Sequence, residues 1–121
     1  MDEVVPINHI ATLYRYTKEL ERESGLKLIS FGHAGDGNLH TCITRGDIQD
    51  QTEWEEKRDE VLGKLYEKIG ELGGLPSAEH GIGLIKKPYF EKMTNPINLE
   101  LMRKVKAVFD PAGRLNPQKL L

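Results

Sequence analysis

The sequence predicts an α+β fold, a ferredoxin-like antiparallel sheet with two helices on one face and further helices C-terminal to it. Three observations carry this. Apolar residues recur at helical spacing in one segment from Ile10 to Leu20 and in another from Trp54 to Leu72. Two β-compatible runs, 26–32 and 38–44, flank the turn signal Gly35-Asp-Gly37. The resulting order, β-α-β-β-α-(β), is the split arrangement that closes into such a sheet.

Each element has a local reason. Asp2 to Pro6 reads as a short strand. Asn8 is placed to cap a first helix with Ile10, Leu13, Tyr14 and Leu20 on its apolar face, and Gly25 stops it. In the next strand Leu28 and Ser30 face opposite to Ile29 and Phe31. A turn centred between Asp36 and Gly37 leads into the strand Asn38 to Thr44 and would set His33 directly across from His40. The longest helix, Thr52 to Leu72, is capped by Asp50 or Thr52. It turns Trp54, Val61, Leu62, Leu65, Ile69 and Leu72 inward and ends at Gly73-Gly74. Leu75-Pro76 suits a short edge strand. A helix from Gly83 to Met93 starts or kinks at Pro88. Asn95-Pro96 opens a last helix to Phe109, Asp110-Pro-Ala-Gly113 stops it, and a tail runs to Leu121.

Size and composition bound the function. At 121 residues the expectation is one domain, residues 1–121. The 17 basic and 19 acidic residues leave a net charge of −2 with no basic run, which argues against nucleic acid as partner. No apolar stretch approaches the roughly 18–20 residues that cross a bilayer, and the first residues lack the regions of a secretory signal. The single cysteine, Cys42, excludes an intrachain disulfide and suits a reducing compartment; the expected setting is cytoplasmic.

The chemistry concentrates in Phe31–His40 and Ser77–Gly83, which hold three of the four histidines. Two imidazoles facing each other across a hairpin can grip one divalent ion. Glu79 adds an oxygen ligand, giving His33, His40 and Glu79, a set with the composition of an open, catalytic metal site. Cys42 lies two residues from His40 and so shares its strand face. Asp36 reads as a turn residue; Asn38 reads as a hairpin residue with a cofactor contact as its alternative. Neighbours in an extended segment point opposite ways, so unless the backbone turns at Glu79, His80 does not share its ion and is left for proton transfer. His9 reads as surface or packing, Lys86 and Lys87 as a solvated helix face before an anion site, and Trp54 as a core anchor.

Gly32-His-Ala-Gly-Asp-Gly-Asn-Leu-His40, Ser77-Ala-Glu-His-Gly-Ile-Gly83 and Asp110-Pro-Ala-Gly-Arg-Leu-Asn-Pro117, in that order, resemble the C-terminal part of vanillyl-alcohol-oxidase-type flavoproteins. The branch is that of glycolate oxidase large subunits, D-lactate dehydrogenases and D-2-hydroxyglutarate dehydrogenases. The resemblance implies a divalent ion, zinc in many members, on His33, His40 and Glu79. It also implies His80 as the base toward a substrate hydroxyl, hydride transfer from C2 of a 2-hydroxy acid to FAD, and a flavin contact at Asn116. Gln118 departs from the family pattern, standing where a glycine is common.

The family's FAD-binding domain and half of its substrate domain have no counterpart in this sequence. The isolated chain is therefore expected to be inactive, to need an FAD-binding domain or subunit as partner, and to be prone to self-association. Attachment to the inner membrane face would come only through partner subunits. The alternative function is a free-standing module that binds metal and hydroxy acid without redox turnover.

Overall fold

The computed structural model describes residues 1–120, which form two compact units, Met1–Glu79 and the segment from His80 onward. The first unit is the sheet with its two helices. Strands β1 (Glu3–Val4), β2 (Lys27–Phe31) and β3 (Asn38–Thr44) pair in the order β1-β3-β2, both pairs antiparallel. Leu75 adds a single antiparallel bridge to Val4 on the far side of β1. This is the ferredoxin-like strand order, its fourth strand reduced to one bridge beside Pro76, which has no N–H to extend the ladder.

Helix α1 (Ile10–Ser24) and helix α2 (Gln51–Glu71) supply the core. Leu13 and Leu20 from α1 and Val61, Leu65, Tyr66 and Ile69 from α2 are buried with Leu28 and Leu39 of the sheet. Each such side chain contributes about 1.5–3 kcal/mol on leaving water. Of the apolar faces read from the sequence, Leu13, Leu20, Val61, Leu65 and Ile69 are buried and Ile10, Leu62 and Leu72 are half-buried. Tyr14 stays 45% exposed with the Lys18 ammonium 5.9 Å from its ring. Trp54 is only half-buried, under the Arg45 guanidinium.

The helix ends are explained by capping. Asp50, not Thr52, caps α2, its carboxylate accepting from the Glu53 N–H at 2.8 Å. Asn8 caps nothing; it lies in a 3-10 turn, Ile7–His9, that leads straight into α1. Gly25 ends α1 in the left-handed conformation, φ 73°.

The second unit holds α3 (Lys87–Met93) and α4 (Pro96–Phe109). Of the two alternatives at Pro88, start or kink, α3 starts there: it begins at Lys87, not Gly83, with Pro88 in its first turn, where a missing N–H costs nothing. Asn95 caps α4 through the Ile97 N–H at 2.9 Å. After α4, Asp110 gathers the N–H groups of Arg114 and Leu115 and the Lys106 ammonium. The lysine beside it holds the Asp110 carboxyl below the usual range. No helix among the described residues is long and apolar enough to cross a membrane. Leu121, the end of the expected tail, lies outside the described residues.

Beneath the helices runs a buried polar path. The Thr17 hydroxyl donates to the Tyr14 carbonyl at 2.7 Å and meets Ser30 Oγ at 3.5 Å; Ser30 meets Thr41 at 3.2 Å; Thr41 donates to the Glu3 carboxyl. Glu3 is fully buried, and its other oxygen, Oε2, has no hydrogen-bond partner among the described residues. Burial raises the Glu3 pKa above the usual glutamate value, against the lowering effect of the Thr41 hydrogen bond. A carboxyl with a raised folded-state pKa favours folding below its unfolded value, and that contribution is lost as pH rises through the folded value. Glu3→Gln should therefore gain on the wild type as pH rises from near 4.5. Urea midpoints of both proteins at pH 5 and pH 8 check this; an unchanged gap would rule out the burial effect.

Candidate metal centre

The hairpin between β2 and β3 sets the site. Phe31 pairs with His40, and His33 and Asn38 exchange backbone hydrogen bonds at 3.1 and 3.2 Å. His33 is thus diagonal to His40, not directly opposite it, and the expected register is off by two residues. The reason is the turn. A two-residue turn at Asp36-Gly37 would need positive φ at both positions, whereas here Ala34–Asp36 form a 3-10 turn and Gly37 alone takes φ 75°. A slip of two preserves face parity, so both imidazoles still project from the same face. Their rings lie 5.6 Å apart, nearly perpendicular.

Two glycines make this possible. At Gly37 a Cβ would fall 2.0 Å from the Val5 carbonyl oxygen. At Gly32, φ 143°, it would lie 2.8 Å from the Asn38 oxygen and 3.2 Å from Cδ2 of His40.

β1 contributes a residue that sequence reasoning missed. Its pairing of Glu3 with Leu39, continued by one residue, sets Asp2 across from His40 on the imidazole face. Asp2 is fully buried. Its Oδ1 accepts from Asn38 Nδ2 at 2.9 Å, and its Oδ2 accepts from Ser77 Oγ at 2.5 Å and from the N–H groups of Ala78 and Glu79, each at 3.1 Å. The signal was present as a carboxylate at the start of a strand. Only the pairing partner, unknown from sequence, shows which way it faces.

So held, Glu79 reaches the hairpin. Its Oε1 lies 3.3 Å from His40 Nε2 and 3.9 Å from His33 Nε2. Donor atoms of Asp2, His40 and Glu79 all fall within 4.8 Å of one another. His40 is nearly buried, whereas His33 and Glu79 remain more than half exposed as side chains, so the group opens to one side. Phe31, 57% exposed, stands 5.5 Å from the His40 ring. Cys42 is exposed, on the same strand face as His40.

The remaining expected residues belong to the second unit. His80 is its first residue and is exposed. Asn116, φ 45°, lines an open depression of about 510 Å³ with Ile82, Gly83, Lys106, Leu115 and Lys119. Gln118 takes φ 67°, a left-handed conformation that glycine adopts without strain.

Over residues 1–120 the sequence matches the family described as FAD linked oxidases, C-terminal domain. The chain belongs to that family. This FAD-linked oxidase C-terminal domain is 44% identical over 119 residues to a D-lactate dehydrogenase of Anaerostipes hadrus, covering 98% of the chain and 25% of the relative. It is 38% identical over 120 residues to the glycolate oxidase subunit GlcD of Bacillus subtilis (strain 168), covering 98% and 25%. A D-2-hydroxyglutarate dehydrogenase of Stutzerimonas stutzeri (strain A1501) is 41% identical over 100 residues, 83% of the chain and 22% of the relative. The domain spans about a quarter of the length of these relatives.

The geometry generates a direct test. Gly32→Ala should cost about 1–3 kcal/mol for the unfavourable φ alone. It should also shift the His40 ring signals in NMR spectra, since the new methyl meets that ring. Unperturbed His40 resonances would show that Gly32 does not seat the imidazole.

Proposed function

We propose that this domain is the metal- and substrate-binding end of a flavin-dependent dehydrogenase or oxidase of small 2-hydroxy acids. Its ion, zinc, would be held by His33, His40 and Glu79. The supporting observation is the approach of the Glu79 carboxylate to two imidazole Nε2 atoms, at 3.3 and 3.9 Å. Tetrahedral zinc with bonds of about 2.0–2.1 Å keeps its donor atoms roughly 3.3 Å apart, which the Glu79–His40 separation already matches and the Glu79–His33 separation exceeds. Two neutral imidazoles and one carboxylate offset one of its two charges and leave a position for substrate.

The three relatives are named for D-lactate, glycolate and D-2-hydroxyglutarate, acids that share a hydroxyl on the carbon beside a carboxylate. When bound, a divalent ion supplies Lewis acidity to such a hydroxyl and a flavin supplies the acceptor for hydride. His80 is the proposed base, an imidazole being the side chain that serves most often as a general base toward a hydroxyl proton. Phe31, beside His40, shields that side of the site from water.

FAD would be held mainly by the remaining three quarters of such an enzyme, with Asn116 as an edge contact. The same remainder would cover α4, where Ile97, Leu101, Val105 and Val108 form a stripe at helical spacing, each at least half exposed. In isolation that stripe would drive self-association. The single, exposed Cys42 fits a cytoplasmic setting.

Calorimetric titration of the chain with zinc should show one site, and both His33→Ala and Glu79→Gln should abolish it. Zinc binding unchanged in both variants would sink the ligand assignment. In the flavin-loaded enzyme carrying this domain, His80→Asn should lower kcat about 10²–10⁴-fold with metal content retained. Joint loss of metal and turnover in His80→Asn would make His80 a ligand instead of the base.

A further inference from the structure

We infer that Asp2 is the positioning residue of this centre: it keeps the proton of His40 on Nδ1, so that Nε2 faces Glu79 as the donor atom. The inference rests on the reading of His33, His40 and Glu79 as ligands and adds to it a residue outside that set.

Asp2 is itself poorly suited to bind an ion. A carboxylate has about four lone-pair sites. Asp2 already accepts four hydrogen bonds, three on Oδ2 from Ser77 Oγ and the N–H groups of Ala78 and Glu79 and one on Oδ1 from Asn38 Nδ2, and the residue is fully buried. It accepts hydrogen bonds on both oxygens, the behaviour of a carboxylate acting only as an acceptor.

What it faces is the other side of the nearly buried imidazole. Asp2 Oδ1 lies 3.8 Å from His40 Nδ1, while His40 Nε2 lies 3.3 Å from Glu79 Oε1. At 3.8 Å the contact is electrostatic, not a hydrogen bond, but it acts between a buried carboxylate and a ring with little access to water, where screening is weak. A proton on Nδ1 is attracted by the carboxylate; a bare Nδ1 lone pair is repelled by it. The carboxylate therefore selects one tautomer, the one whose Nε2 is free to donate. Through Ala78 and Glu79 the same carboxylate fixes the backbone from which the third ligand projects. One buried side chain thus aligns two ligands from separate segments.

The test uses the ¹⁵N-labelled chain, with long-range imidazole ¹H–¹⁵N spectra in the metal-free state and zinc titration in parallel. In the wild type His40 should carry its proton on Nδ1. Asp2→Asn, nearly isosteric but neutral, should weaken that preference and lower zinc affinity about 10–100-fold, the usual loss for an outer partner of a metal-binding histidine. Ser77→Ala removes a loop donor but leaves the carboxylate facing the ring. It should keep the Nδ1 proton on His40.

A purely structural Asp2 would alter stability without moving the tautomer. A wild-type His40 with a bare Nδ1 overturns the inference whether or not the variants fold, and so does an Asp2→Asn spectrum identical to wild type. A wild-type chain that takes up no zinc defeats the metal reading instead, while the metal-free spectra still judge Asp2.

Discussion

The site and the core of the first unit both depend on the register of β3. It is the central strand, bonded to β1 on one side and β2 on the other. Its alternation sends Leu39 and Thr41 under the helices and Asn38 and His40 to the opposite face. A one-residue slip would put an imidazole into the apolar core and a leucine on the face where His40 stands. The loop that fixes this register closes around Gly37, whose N–H bonds back to Ala34 and whose carbonyl accepts from the Val5 N–H at 2.9 Å. The missing Cβ at Gly37 is what lets the loop approach β1 so closely.

With the register set, β1 is short but decisive. Two residues are enough for a strand here because each neighbouring segment anchors it separately. Val4 exchanges bonds with Leu75 at 3.2 and 2.9 Å, and the Asp2 carbonyl accepts from the Ala78 N–H at 3.0 Å. The Ser77–Glu79 segment is therefore tied to the strand by backbone and side chain together. An irregular loop thereby acquires the precision of a sheet position, and with it the Glu79 carboxylate.

Much of this was readable in the sequence, for identifiable reasons. Gly25, Asp50 and Asn95 are local signals whose meaning depends on a few adjacent residues, so the helices they bound came out nearly right. The alternation in β2 was equally local: Leu28 is fully buried, whereas Ile29 is 46% exposed. Pairing is not local. The hairpin register depended on whether Asp36 would accept a positive φ, and the sequence alone favoured the shorter turn. The grouping of His33 with His40 survived because an even slip preserves faces. Asp2 escaped notice because its partners are 36 or more residues away in sequence. Asn8 misled because a good capping residue can also occupy a 3-10 turn.

Asp2 and Glu3 show how far the register alone can differentiate chemistry. They are neighbours in the chain, both carboxylic acids, both fully buried. Strand alternation turns Asp2 to the imidazole face, where the N–H groups of Ala78 and Glu79 and the side chains of Ser77 and Asn38 converge on it. It turns Glu3 the other way, against the Thr41 hydroxyl and the helix layer, where burial dominates and favours the protonated acid. One group gathers four donors as an acceptor; the other closes a polar path through an otherwise apolar layer. A one-residue shift of β1 would put Met1 or Glu3, each a longer side chain than Asp2, where the donors of the 77–79 loop converge. The pairing of β1 with β3 therefore specifies which of two similar side chains can support the site, and a strand of two residues suffices to do it.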